Sequence, residues 1–208
     1  LRVVDAKVDS AEAIAEDVAR CVRDGGVVVL PTDTVYGIFC DASNVAAIER
    51  VYGLKNRPRA KALGLYVDSV PAFLALAGEN AAARTLAEAF LPGALTVIVV
   101  RPASVSEAVS AGLPSVAVRV PDHALLRVIL ARAGTLAGTS ANLSGLPAFA
   151  GGAIPEDFPE ADLFVDDGVT ALGTESTIVD VSQGRARLIR AGAIPVALLE
   201  NVLGIELR

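Results

Sequence analysis

Histidine is nearly absent from this chain: His123 stands alone in 208 residues, beside two cysteines, Cys21 and Cys40, and no methionine or tryptophan. A Cys/His zinc site is thereby excluded, and triad chemistry built on histidine would rest on His123 alone. The cysteines lack metal-ligand spacing and read as reduced core residues of a cytoplasmic protein. Long apolar runs are missing too, so no segment approaches membrane-spanning length, and Leu95 to Val100 is only strand-sized. Acidic, helix-like sequence begins by Asp9, which leaves no pattern of an N-terminal signal. Aromatics make up 4% of the chain, so the core must be built from Val, Leu, Ile and Ala. Positive charge is in deficit, with 18 Lys and Arg against 24 Asp and Glu and a net charge of −6. Any contact with phosphate must come from a local basic cluster, not from a global field.

What is present is hydrophobic, at 53%, and only 20% charged, the composition of a globular chain. One domain over residues 1–208 is expected. Asp9 and Ser10 are candidate caps for a helix carrying Ile14, Val18, Cys21 and Val22, with Asp9 and Glu12 spaced as a capping box. Gly25 and Gly26 stop it. Val27 to Leu30, Val35 to Cys40, Leu63 to Val67, Leu95 to Val100, Val116 to Val120 and Thr135 to Gly138 read as strands. Helices are expected after Asn44, over Ser69 to Ala77, over Asn80 to Phe90, from Asp122 and from Pro195. Ser176 to Val181 alternates, Gln183 and Gly184 turn, and Ala186 to Arg190 pairs back. The fold class is α/β (α+β): one twisted, open, mixed sheet flanked by helices.

Three polar segments sit at strand ends, where open α/β sheets collect ligands. Thr32-Asp33-Thr34 follows Pro31 and offers two hydroxyls and a carboxylate, either to a small polar ligand or to its own turn. Lys55-Asn56-Arg57-Pro58-Arg59-Ala60-Lys61 places four cations in seven residues, either a phosphate-binding loop or a solvated one. Gly138-Thr139-Ser140-Ala141-Asn142-Leu143-Ser144-Gly145 reads either as a loop whose backbone N–H groups approach phosphate or as a tight loop closed by its own side chains, and it lacks the lysine of a P-loop. Arg119, between Val118 and Val120, shares a face with Ala117 and either reaches solvent or grips a carboxylate. Arg190 has the same two readings. Glu175-Ser176-Thr177 opens the hairpin, as a ligand contact or a turn. His123 reads as structural.

Taken together and in order, these segments resemble the YrdC-like family of threonylcarbamoyl-AMP synthases. The resemblance runs from Gly25-Gly26 through Pro31 to Gly37, Lys55-Asn56-Arg57-Pro58, Leu91-Pro92-Gly93-Ala94-Leu95-Thr96, Val116 to Val120 and Ser140 to Gly145, and ends with Glu175 to Asp180. It implies a concave, positively charged cavity. It implies that L-threonine, bicarbonate and ATP become threonylcarbamoyl-AMP and pyrophosphate, for the N6-threonylcarbamoyladenosine of tRNA. Lys55 and Arg57 are implied as catalytic. Lys55, Arg57, Lys61, Ser115, Ser140, Asn142 and Arg190 are implied as nucleotide contacts. Thr32, Arg119, Ser176 and Tyr66 are implied as threonine contacts, with Arg119 on the carboxylate. Mg2+ is expected with ATP, and neither zinc nor a redox cofactor is expected. Tyr66 stands where one branch has histidine, Ala62 and Gly64 interrupt a commonly β-branched stretch, and Ser115 replaces a threonine. The chain resembles the short form of the family. Three rivals remain at this point: a carbamoyltransferase domain, an RNA-binding module without turnover, and a nucleotide-binding regulator.

Overall fold

The computed structural model describes residues 2–207. Among the described residues ten strands form one sheet: β1 Arg2–Asp5, β2 Val28–Leu30, β3 Gly37–Asp41, β4 Gly64–Tyr66, β5 Leu95–Val100, β6 Ser115–Arg119, β7 Leu136–Ser140, β8 Leu163–Asp166, β9 Thr177–Asp180 and β10 Arg187–Arg190. Seven helices among the same residues pack on it: α1 Ala11–Arg23, α2 Val45–Leu54, α3 Val70–Ala77, α4 Ala81–Phe90, α5 Glu107–Ser110, α6 Ala124–Ala133 and α7 Val196–Leu203. The strand order is β1-β8-β2-β3-β7-β4-β6-β5-β9-β10. The pairs β1–β8, β8–β2, β4–β6 and β5–β9 are parallel and the rest antiparallel, so the sheet is mixed. Among the described residues no helix is long and apolar enough to cross a membrane.

Side chains alternate across a strand, and two separate cores record that alternation. On one face Val27, Val29, Ile38, Cys40, Leu65, Val97, Val99, Val116, Val118 and Val179 pack under α2, α3, α4, α5 and α7. On the other face Val28, Leu30, Phe39, Leu136, Leu163 and Val165 pack under α1 and α6 alone. This explains why Val27 to Leu30 is a continuous apolar run: both of its faces are covered. The second cover stops partway along the sheet. Along β4, β6, β5 and the start of β9, positions alternating with the core residues include Gly64, Tyr66, Thr96, Ile98, Ser115, Ala117, Arg119, Ser176 and Ile178, and these line a cavity.

Some boundaries differ from the sequence expectation. The cap of α1 is Ser10, whose hydroxyl accepts from the Ala13 N–H at 3.2 Å, not Asp9. Asp9 instead closes the preceding turn onto the Asp5 carbonyl, so no capping box forms with Glu12. α6 is capped by His123, not Asp122, through Nδ1 accepting from the Leu126 N–H at 3.3 Å. Pro195 sits one residue outside α7, as its cap. Gly138, Thr139 and Ser140 are strand residues of β7, paired with β3, so only the remainder of that segment is a loop. Cys40 is buried but Cys21 is only half-buried, and both are free. β1, β8 and α5 had no counterpart in the sequence reading.

Candidate active site

The uncovered half of the sheet forms the floor of a cavity of about 250 Å³. Its walls come from the turn between β2 and β3, from the segment after α2, and from the ends of β7 and β10.

On one wall, Thr32 and Thr34 organise a hydrogen-bonded chain. The Thr32 hydroxyl donates to the Val35 carbonyl at 2.7 Å and accepts from the Thr34 and Val35 N–H groups at 3.0 and 3.2 Å. It also lies 2.9 Å from the Thr34 hydroxyl. Arg119 feeds this chain, donating from Nη1 to Thr34 Oγ1 at 2.7 Å. Its Nη2 reaches Asp33 Oδ1 at 2.7 Å and its Nε the Gly93 carbonyl at 3.0 Å. Arg119 and Asp33 have side chains only 3% and 8% exposed, so this is a buried ion pair. A guanidinium has five N–H donors, and these contacts use three different nitrogens once each, which leaves two donors for a ligand.

On the opposite wall, Arg190 donates from Nη1 to Glu175 Oε1 at 2.7 Å and from Nε and Nη2 to the Ser176 carbonyl at 3.1 and 2.9 Å. The Ser176 hydroxyl lies 2.8 Å from that of Thr96. A third arginine, Arg57, is anchored by the Lys61 carbonyl at 2.9 Å and the Ala62 carbonyl at 2.7 Å. Burial lowers its pKa from the usual arginine range. Tyr66 closes the floor, edge-on to Phe39 with ring centroids 4.8 Å apart.

The structure thus brings Thr32, Arg57, Tyr66, Ser115, Arg119, Ser140, Ser176 and Arg190 into one cavity. It does not bring Lys55, Lys61 or Asn142 to the lining. Lys55 is buried behind Ser140, its side-chain nitrogen donating to the carbonyls of Ser140 and Asn142, with Asn142 Oδ1 at 3.5 Å. Burial pushes its pKa down to about 7, helped by the nearby Arg57 charge and opposed by Glu175. The Asn142 amide turns back onto the Leu143 and Leu146 carbonyls at 2.9 and 2.7 Å. Lys61 is exposed. Arg59 pairs with Glu49 and lies 5.0 Å over the Tyr52 ring. Of the basic cluster, then, only Arg57 faces the cavity, because the other three cations have a carbonyl nest, an ion pair or solvent to go to. Thr96 lines the cavity as well, without an assigned ligand role in the sequence. The signal for Thr96 was available, as the single polar residue in the strand Leu-Thr-Val-Ile-Val-Val.

Fold and cavity define an α/β protein in which arginines and hydroxyls converge over the bare half of a mixed sheet. Comparison with known proteins narrows this. The chain belongs to the Sua5/YciO/YrdC family, whose model, described as telomere recombination, matches residues 20–192. It is 34% identical over 190 residues to a Pyrococcus abyssi protein named threonylcarbamoyl-AMP synthase, covering 89% of this chain and 56% of that one. A Bacillus subtilis protein of the same name is 35% identical over 195 residues, covering 89% of this chain and 55% of that one. The chain therefore spans little more than half the length of these relatives. The solved structure of P. abyssi Sua5 complexed with L-threonine superimposes with a TM-score of 0.88 at 29% identity, over 100% of this chain and 62% of that one.

Proposed function

We propose that this chain is a nucleotidyltransferase, an L-threonylcarbamoyladenylate synthase. It converts L-threonine, bicarbonate and ATP into threonylcarbamoyl-AMP and pyrophosphate, for the N6-threonylcarbamoyladenosine at position 37 of tRNA. The observation that carries this reading is the convergence of Arg57, Arg119 and Arg190 with several hydroxyls in one 250 Å³ cavity, in a chain whose relatives bear that enzyme's name.

In this reading the threonine nitrogen, after losing a proton, bonds to the carbon of bicarbonate-derived CO2 and forms a carbamate. A carbamate oxygen then attacks the α-phosphorus of ATP, and the bond to pyrophosphate breaks. No covalent enzyme intermediate is needed. The protein holds anionic reactants together and offsets the charge that develops. Arg119, with two donors spare, receives the threonine carboxylate, beside Thr32, Ser176 and Tyr66. Arg57 and Arg190 receive phosphate oxygens, with Ser115 and Ser140 on the nucleotide. Lys55, Asn142 and Lys61 belong to the same nucleotide region from outside the lining.

Mg2+ enters on the phosphates, as part of the ATP substrate. Among the described residues no group of three or more His, Cys, Asp or Glu is placed to hold a metal ion. Glu175 is the one carboxylate among the lining residues. The product passes to tRNA directly or through a downstream transferase, in the cytoplasm.

Mass spectrometry of a short incubation with ATP, Mg2+, bicarbonate and threonine tests the proposal. The expected result is a threonine-dependent threonylcarbamoyl-AMP peak with pyrophosphate. ATP binding without that product, under conditions that preserve it, would overturn the reading. Arg57→Ala is expected to lower kcat about a hundredfold while leaving the fold intact, the scale for losing one preorganised charge donor; unchanged turnover would remove Arg57 from the site.

A further inference from the structure

Lys55 is the most deeply buried cation of its segment, 1% exposed, and it does not line the cavity. Its side-chain nitrogen faces three oxygens: the carbonyls of Ser140 and Asn142, and Asn142 Oδ1. An ammonium has three N–H donors, so these acceptors consume its whole capacity. The main chain of Lys55 makes a further tie, its carbonyl accepting from the Ser144 N–H at 3.0 Å. The segment from Ser140 to Ser144 is thus stitched to the C-terminus of α2 twice, by one residue. Its other side is held by the Ala141 N–H donating to the Tyr36 carbonyl at 2.7 Å. Ser140 is the point where this segment meets the cavity. Swinging the amine toward a ligand would take the donor from the Asn142 carbonyl in a buried setting, a costly exchange.

We propose that Lys55 is a positioning residue for the nucleotide site: its amine fixes the strand-to-loop segment that presents Ser140 to the cavity, and it touches no phosphate of the nucleotide. Phosphate contact is left to Arg57, two residues on, which does line the cavity. The inference rests on the nucleotide-handling reading above and separates two lysine roles that a basic motif alone cannot distinguish.

The test is a ladder of dissociation constants for AMP, ADP and ATP, measured by calorimetry for the wild type, Lys55→Met and Arg57→Ala, with threonine as a control ligand. For Lys55→Met the three nucleotides are expected to weaken by one common factor, about tenfold for the lost buried donor. Threonine affinity should stay unchanged. Amide hydrogen exchange should quicken over 140–146 and stay the same in α1 and α6. For Arg57→Ala the loss should grow with each added phosphate. A loss in Lys55→Met that grows from AMP to ATP, with unchanged exchange, would make Lys55 a phosphate ligand and overturn the proposal. Wild-type affinities for all three nucleotides would overturn it as well. Should Lys55→Met fail to fold, lysine acetylation of the wild-type protein decides the matter: Lys55 is expected to resist labelling with or without ATP, whereas a ligand lysine labels when free and is protected by ATP. If the wild type binds no nucleotide at all, the functional reading fails, while exchange and labelling still report where Lys55 sits.

Discussion

Arg119 and Lys55 are both buried cations, and the sequence treated them very differently. The alternation of Val118 and Val120 around Arg119 was enough to place it on the face of Ala117, away from the core. Its partner was not legible, because Asp33 lies 86 positions away in the chain and only the curl of the sheet joins them. Lys55 read as one of four cations in a polar loop, since nothing local in Lys-Asn-Arg-Pro-Arg announces that the Ser140 and Asn142 carbonyls will enclose it. Two predictions belong at this scale. Asp33→Asn removes the charge that steadies Arg119 while retaining an acceptor, so the KM for threonine is expected to rise about tenfold, the cost of weakening one charge-assisted contact, with the KM for ATP unchanged. Equal effects on both substrates in steady-state kinetics would contradict this. The second prediction concerns pH. Burial lowers the Lys55 pKa to about 7, whereas an unfolded lysine titrates near about 10.4. Between those values the unfolded chain holds the extra proton, so stability rises with pH across that window. Denaturant melts of the wild type should show a positive slope of up to about 1.4 kcal/mol per pH unit relative to Lys55→Met. Parallel curves for the two proteins would place the titration elsewhere.

Elements with strong local grammar were readable: the apolar runs of β2 and β5, the asparagine and serine caps, and the turn at Gln183 and Gly184 between β9 and β10. β1 and β8 were not, and the reason is topological. Each is four residues long, and they pair with each other from distant parts of the chain, Arg2 against Leu163. Their stability comes from that pairing and from packing under α1, not from sequence pattern. The β7 end was misread as loop because its Gly-Thr-Ser run lacks the apolar alternation that marks a strand, and glycine is depleted in strands. Gly138 is there for space: a Cβ at that position would lie 2.3 Å from Phe39 Cδ1 and 2.9 Å from the Ile38 carbonyl oxygen. Gly138→Ala is therefore expected to destabilise the protein by about 1–3 kcal/mol, the usual cost of overpacking. Gly53→Ala, inside α2 with nothing within 4 Å of the added carbon, should be neutral or stabilising by up to about 1 kcal/mol. Differential scanning calorimetry of the two variants checks both, and similar melting temperatures would refute the steric argument.

At the level of the whole molecule the acidic balance sets what the protein can hold without help. Nonspecific nucleic-acid binding depends on neutralising phosphates, and this chain carries a net charge of −6, with several cavity-wall and surface arginines already paired to carboxylates. Electrophoretic mobility shift at 0.15 M salt is expected to show no retention of tRNA at micromolar protein; tight, salt-sensitive retention would favour a role in RNA binding. The sheet's mixed character and its flanking helices were legible from the alternation of strand and helix patterns. The cavity was legible only through the family resemblance and not from residue pattern, because it arises where a second layer is missing, and no residue in the sequence marks an absence. That missing layer has a consequence of its own. Over β5, β6 and β9 the inner face lacks a helical roof, so an occupant of the cavity completes the layer the chain leaves unfinished. Occupancy and folding are then linked, with a stabilisation of RT ln(1 + [L]/Kd), and heat becomes an assay: true ligands will raise the melting temperature in proportion to how well they serve as the protein's absent piece of core.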